Sequence, residues 1–404
     1  MPEAAPAPSH KLERYKVGLG ELINADALEA LKTIPNNSID TIITDPPYGL
    51  SFMAKDWDKA LPPMQIWKEC IRVLKPGGIA LIFGGPRTFH RLAVYIEDSG
   101  FILKDILMWL YGSGFPKAQD ISRLIDERLG AERESIGKGQ SGKSRKVLNG
   151  ALDGSFGGEY DITAPATPEA KAWSGFKTTA LKPAYEPIIM AMKPLSGTYA
   201  ENALKWGVAG MNIKEARIGN DVIMTKGDSK GYNGIGLSGG VFKEHVGRFP
   251  ANIILDPEAA AMLDSQAGNS KSGPLGFKKI GWRHSNNTGE AMPILYQPQG
   301  FNDSGGPSRF FYVAKASPSE RGDNPHPTVK PLSLIDHLVK LTKTPTGGVI
   351  LDPFVGSGTT AEAAERNGRP WVGIDINKEY ILYALERLKK WKGQSRLNAW
   401  VAER

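Results

Sequence analysis

The chain has 404 residues, a hydrophobic fraction ordinary for a soluble globular protein (41%) and a formal net charge of +7. That length allows one large domain with insertions, or two domains. No apolar run approaches a membrane span, the start MPEAAPAPSH lacks a basic-then-apolar signal pattern, and the lone Cys70 excludes an internal disulfide, so the expectation is a cytoplasmic protein with no membrane partner and a short flexible N-terminal tail.

Residues 1–111 read as alternating strands and helices. A strand near Gly18 to Asn24 precedes a helix around Ala27 to Thr33, and Ile39 to Thr44 (IDTIIT) is an apolar run that reads as a buried strand. It runs into Asp45, Pro46, Pro47 and Tyr48. Neither proline can donate to a sheet ladder, so the strand must stop there. Asp45 and Tyr48 are then held on a stiff loop at the strand's carboxyl end, the edge where ligands bind in open α/β sheets. Pro62 and Pro63 open a helix to about Leu74, closed by the KPGG of residues 75–78. Cys70 shares a face of that helix with Met64, Trp67, Ile71 and Leu74 and reads as a buried thiol. A strand at 79–83, a helix from about Arg87 to Asp98 and a strand from Phe101 to Tyr111 complete this part.

The middle changes character. Residues 112–182 are rich in Gly, Ser, Lys and Thr, with one helical pattern near Ile121 to Leu129, and YEPIIMAMK (185–193) reads as a strand. From Pro194 to Arg309 turn residues dominate and periodicity is weak. Two stretches carry basic residues and no acid: 137–146, with Lys138, Lys143, Arg145 and Lys146, and 269–284, with Lys271, Lys278, Lys279 and Arg283. Solvated loops explain both on charge alone; a polyanionic partner is the competing reading.

The last ninety residues return to α/β. PLSLIDHLVKLT (331–342) is an amphipathic helix with Pro331 at its start, followed by strand GVILD (348–352), the loop PFVGSGTT, helix AEAAERNG, strand WVGIDI (371–376) and a long final helix. Leu382, Leu385 and Leu388 are expected to form the buried stripe of that last helix, with Trp391 beyond. Gly356 and Gly358 let the backbone approach a ligand at a helix N-terminus. A phosphate-binding P-loop needs a lysine after its last glycine, and Thr359 stands there instead. A nucleoside-binding loop needs an acid at the end of the next strand; Asp375 supplies it at roughly the 20-residue spacing from Asp352 expected of a ribose-binding carboxylate. The pattern points to an adenosine-containing ligand. No Cys/His cluster suggests a metal.

Taken together, DPPY at 45–48, HPTVKP at 326–331 and DPFVGSGTT at 352–360 resemble the signature set of the amino-methylating DNA methyltransferases. Their order, catalytic loop first and cofactor loop last, resembles the β class of that family. KPAYEPIIMAMKP, RFPANIILD and RFFYVAKAS are similar to a bacterial and phage branch of it. The resemblance covers most of residues 18–111 and 310–391. It implies the methyltransferase fold, an α/β doubly wound, mostly parallel sheet in circular order, with S-adenosylmethionine as cofactor and double-stranded DNA as substrate. It also implies a homodimer, and leaves open a separate restriction endonuclease. The domain plan that follows is a catalytic half (1–111), a DNA-facing insertion (112–182), a core strand (183–195), a target-recognition region (196–309) and a cofactor-binding half (310–404).

The resemblance assigns residues as well. The Asp45 carboxylate and Pro46 carbonyl would accept from the target amine, Pro47 stiffens the same loop, and Tyr48 offers a ring for a base rotated out of the duplex. Asp352, Phe354 and Gly356 would shape the cofactor pocket, with Ser357, Gly358 and Thr359 continuing the loop and Asp375 on the ribose hydroxyls. Asp26 matches the acid near the cofactor's adenine. Thr328 and Lys330 would wall the methionine end, and Ser333 could cap the following helix and help hold the methionine carboxylate. For Asp26 and Thr328 turn formation is an adequate alternative. Lys55, Asp56 and Trp57 read either as a lid over the base or as a hinge packed on the core. Lys271, Lys278, Lys279, Arg283 and Asn286 are candidates for DNA contact, with phosphates favoured for the lysines.

Methylation at cytosine C5 needs a nucleophilic thiol, which Cys70 does not provide. Adenine N6 is favoured over cytosine N4, because N4 members more often carry serine where Asp45 stands. Four readings stay beside it: cytosine N4, the same chemistry on RNA or a protein glutamine, a catalytically inactive DNA-binding regulator, and a dehydrogenase that leaves DPPY unexplained.

Overall fold

A computed structural model describes residues 12–50, 59–112, 114, 118–140, 159–226, 242–271, 276–280, 295–299, 303–314 and 330–389. The chain divides into two compact units, one formed by Met1–Gly112, Glu186–Ser317 and Lys330–Arg404, the other by Ser113–Tyr185 with Pro318–Val329.

The larger unit is built on ten strands: β1 (Glu13–Val17), β2 (Gly20–Asn24), β3 (Ile39–Thr44), β4 (Leu74–Phe83), β5 (Ile102–Leu110), β6 (Tyr185–Met192), β7 (Ile253–Leu255), β8 (Tyr312–Val313), β9 (Ile350–Asp352) and β10 (Trp371–Asp375). They lie in the order β1-β2-β10-β9-β3-β4-β6-β5-β7-β8. Pairing is parallel from β2 through β10, β9 and β3 to β4, and antiparallel between β4 and β6. All six residues of β3 are buried, as a central parallel strand covered on both faces requires. Helices α1 (Ala27–Lys32), α2 (Met64–Val73) and α3 (Phe89–Asp98) pack one face through Leu31, Trp67, Cys70 and Ile96. Helices α4 (Leu332–Leu341), α5 (Thr359–Arg366) and α6 (Lys378–Leu388) pack the other through Leu338, Ala363 and Ile381.

The chain leaves β3 through α2 toward β4, and leaves β9 through α5 toward β10. These neighbouring strands therefore send their connections in opposite directions, which opens a crevice at their carboxyl ends. Asp45 and Asp352 stand there.

Several expectations are corrected. A strand, β1, precedes the first expected one and pairs with it antiparallel through a turn at Gly18, whose φ is +56°. KPGG does not cap α2: that helix ends at Val73, Leu74 is already extended, and residues 75–78 form an irregularity inside β4. Gly77, at φ +76°, donates its N–H to the Lys193 carbonyl at 3.0 Å, so a partner distant in sequence takes the turn residues into the sheet. In α6 the buried residues are Ile381, Ala384 and Leu388, while Leu382 is 52% exposed; Trp391 lies outside the described residues. The region after Pro194 holds more regular structure than its turn residues suggest, including helices Tyr199–Trp206 and Pro257–Ala267 and the antiparallel pair Ile218–Lys226 with Phe242–Arg248. The first of these helices is set by a capping box, Thr198 with Glu201.

The smaller unit has helix Ile121–Leu129, capped by Asp120 and ended by Gly130 at φ +67°, and the hairpin of Ser135–Gln140 with Glu159–Thr163. Its hub is Asp126. Burial alone would push that carboxyl up, but donors from Ala166 and Thr167 and the Arg133 guanidinium outweigh it and hold it at about 2.

Candidate active site

Because β3 ends in two prolines, Asp45 and Tyr48 are fixed by backbone stiffness rather than by a ladder. Both oxygens of Asp45 are engaged. Oδ1 accepts from the Tyr48 hydroxyl at 2.8 Å, and Oδ2 from Lys330 Nζ at 2.5 Å. Glu186, on β6, faces the same two donors: its Oε2 lies 3.0 Å from the Tyr48 hydroxyl and 3.2 Å from Lys330 Nζ. Lys330 is buried, with its ammonium 5.5 Å from the Tyr48 ring centroid and 5.2 Å from that of Phe83. Burial would lower its pKa, yet the two carboxylates dominate and raise it, so it is a fixed cation. Burial raises the Tyr48 hydroxyl well above its ordinary value, with Asp45 and Glu186 adding to it, so the hydroxyl remains a donor.

Across the crevice, buried Asp352 accepts from Thr44 Oγ1 at 2.7 Å and from the Phe354 N–H at 3.0 Å. Burial nevertheless pushes its carboxyl up to about 7. Phe354 leans on Trp67 of α2, their ring centroids 6.4 Å apart. Gly356 and Gly358 take φ values of +51° and +85°, and a Cβ on Gly358 would stand 2.9 Å from the Ala384 Cβ, so the loop needs glycine for both conformation and space. The Gly356 N–H donates to Asp375 Oδ2 at 2.9 Å, and the Asn377 N–H to its Oδ1 at 2.8 Å. Burial raises Asp375 to about 6. Ser357 and Thr359 are buried, and Arg387 donates to the Ser357 carbonyl and the Thr359 hydroxyl, which serves the loop's own shape.

The structure thus gathers Asp45, Pro46, Pro47, Tyr48, Lys330, Asp352, Phe354, Gly356, Gly358 and Asp375 around the carboxyl ends of β3, β9 and β10. One expectation is corrected, Ser333 as a helix cap, and two further candidates have partners of their own in the structure. Lys330, expected at the cofactor, pairs with the catalytic-loop carboxylate. Ser333 caps nothing: Pro331 occupies the cap of α4, and the Ser333 hydroxyl is buried with no partner among the described residues. Asp26 is the exposed N-cap of α1, accepting from the Leu28 and Glu29 N–H groups. Thr328, Lys143, Arg145, Arg283 and Asn286 lie outside the described residues, as do Lys55, Asp56 and Trp57; the side chains of Lys278 and Lys279 are likewise not described. Lys138 pairs with Asp161 at 3.3 Å, and Lys271 is exposed. Glu186 was missed, although an acid before a proline at the head of the apolar run in YEPIIMAM was a usable signal.

Residues 39–386 match the family model for DNA methylases of the N6/N4 type (N6_N4_Mtase), a span that includes both motif loops. The chain belongs to this DNA methylase family. The methylase is 22% identical to the type II methyltransferase M.HindIII of Haemophilus influenzae over 91% of its own length and 94% of that protein. It is 24% identical to M.HpaI of Haemophilus parainfluenzae over 91% and 73%. Among solved structures, the cytosine-N4-specific PvuII DNA methyltransferase aligns with a TM-score of 0.44 and 14% identity over 96% of this chain and 92% of its own. As a DNA methylase of the N6/N4 family, the protein draws its methyl group from S-adenosylmethionine. The site's backbone fits such a cofactor: Gly356 and Gly358, both at positive φ, leave an approach free of side chains, and the buried Asp375 carboxylate stands at its edge. Among the described residues no cluster suits a metal ion, and no helix is long and apolar enough to cross a membrane.

Proposed function

We propose that this methylase acts on the N6 amine of an adenine rotated out of duplex DNA, at a defined sequence. The observation that carries the reading is the Asp45 carboxylate, held from both sides by Tyr48 and Lys330 on a proline-stiffened loop beside the cofactor crevice. An exocyclic amine is a poor nucleophile because its lone pair is delocalised into the ring. Asp45 accepts one N–H and the Pro46 carbonyl the other, which favours tetrahedral nitrogen and frees the pair. The Tyr48 ring is the stacking surface for the base. S-adenosylmethionine, when bound, supplies a sulfonium-activated methyl carbon whose bond pair leaves with sulfur. The nitrogen that gains the methyl sheds one proton, and Asp45 is the base at hand.

Asp375 is assigned to the ribose hydroxyls, Asp352, Phe354, Gly356 and Gly358 to the pocket walls, and Ser333 to the methionine carboxylate. Asp26, as an exposed cap beside Asp375's strand, remains assigned to the adenine end, and Thr328 to the methionine wall. Residues 112–182 and 196–309 are the DNA-facing parts, with Lys271 as an accessible phosphate contact. A homodimer, a partner restriction endonuclease and a cytoplasmic setting complete the reading; the type II names of the relatives support the endonuclease, and the buried Cys70 suits a reducing compartment.

The test is to express the chain in a host lacking its own methylases, digest the DNA to nucleosides and identify the modified base by mass spectrometry. N6-methyladenine is the expected product. N4-methylcytosine would overturn the base assignment, and no modified base from soluble, cofactor-binding protein would overturn the activity.

A further inference from the structure

The Tyr48 hydroxyl has one proton and two carboxylates within reach, Asp45 Oδ1 at 2.8 Å and Glu186 Oε2 at 3.0 Å. Lys330 likewise offers one buried charge to both, at 2.5 and 3.2 Å. As the chain stands, the shorter contact of each donor is with Asp45. That is the carboxylate which must accept from the target amine, so its lone pairs are partly committed to protein donors before the base arrives. A second acceptor for the same two donors solves this problem: they can shift toward Glu186 without becoming unpaired in a buried site, where losing a partner is costly.

We propose that Glu186 is a positioning residue for methyl transfer, receiving the Tyr48 hydroxyl bond and the Lys330 ammonium as Asp45 engages the amine. The proposal rests on the reading of Asp45 as the amine's acceptor. Its place in the fold suits the task. Glu186 heads β6, which pairs antiparallel with β4, and Pro187 follows it, so its backbone is held by sheet and ring together. No covalent step involves Glu186; it exchanges hydrogen bonds only.

The experiment uses the full chain, unmethylated DNA from a methylase-free host and labelled S-adenosylmethionine under single-turnover conditions. Glu186→Gln keeps the size and an acceptor oxygen but removes the charge. The expected result is a fall of about 10–100-fold in the transfer rate, the worth of one charge-assisted hydrogen bond, with cofactor Kd and DNA Kd within about twofold of wild type. Glu186→Asp, which keeps the charge, recovers part of that loss. In a Tyr48→Phe background Glu186→Gln costs less than it does alone, because one of the two donors it serves is gone. A transfer rate within twofold of wild type in Glu186→Gln overturns the proposal. So does a loss matched by weaker cofactor or DNA binding, or by a lowered melting temperature that Glu186→Asp does not relieve. Asp45→Asn is run alongside: if it transfers at the wild-type rate, the reading of Asp45 fails whatever Glu186 does, and if it is inactive while Glu186→Gln is unaffected, only the role of Glu186 fails.

Discussion

Thr44 Oγ1 donates to Asp352 Oδ1 at 2.7 Å, tying the last residue of β3 to the last residue of β9. Both residues are buried, so this bond fixes the catalytic loop relative to the cofactor loop from beneath. It does not offset the burial of the carboxylate, which titrates near 7.

That imbalance gives a pH dependence with a definite sign. A carboxyl whose folded pKa exceeds its unfolded value makes the folded state bind a proton that the unfolded state does not. Cofactor-free protein should therefore gain stability as the pH falls from about 8 toward 5, until other groups titrate. Asp352→Asn, which keeps the Oδ1 acceptor for Thr44 and Phe354, should be more stable than wild type at pH 8, and the gap should close as the pH drops through about 7. Urea denaturation at pH 5.5 and pH 8 measures both; an equal gap at the two values refutes the account.

Asp375 provides a second, separable dependence. On the proposed assignment to the ribose hydroxyls its ionised carboxylate is the better acceptor, and burial raises its pKa to about 6. Affinity for S-adenosylmethionine should fall as the pH drops below about 6, by up to about tenfold per unit. Asp375→Asn should bind more weakly at pH 7.5 and lose most of the slope between pH 5 and 7.5. Calorimetric titration at several pH values reads both.

Lys330 holds two carboxylates within a buried cluster. Lys330→Met should destabilise the fold by about 3–5 kcal/mol, because it leaves uncompensated charge behind. Adding Glu186→Gln to Lys330→Met removes one of the stranded charges and should recover part of that stability. Simple additivity in thermal melts would argue against a shared charge.

Lys271 tests the DNA-facing assignment of residues 196–309. If this exposed lysine makes the proposed phosphate contact, its replacement by alanine should weaken DNA binding evenly across sequences and reduce the salt slope of log K by about 1. An unchanged slope with unchanged affinity places this lysine off the interface.

The motif loops were legible in sequence because their signals are local. Two prolines end β3 wherever its partners lie, and the glycines at 356 and 358 serve a turn that their own neighbours define. What failed depended on distant partners. KPGG carries every mark of a helix end, yet the carbonyl of Lys193 draws Gly77 into the sheet. Leucines marked only part of the stripe of α6: Leu388 is buried and Leu385 packs against the core, but Leu382 is exposed, and Ala384, a small residue, lies beneath the Gly358 turn. The Lys330 pair with Asp45 joins residues 285 positions apart, and nothing near either one announces the other.

That separation has a consequence for when the methylase can exist during its own synthesis. Thr44 leaves the ribosome 308 positions ahead of Asp352, so the two are joined only after roughly 15–60 s of further elongation at ordinary rates. Until β9 emerges, β3 lacks the neighbour it has on one side of the finished sheet, and an apolar strand edge is exposed to other chains. A nascent chain therefore carries its chemistry early and its methyl donor's berth last, and a truncated product can hold a catalytic loop without ever becoming an enzyme.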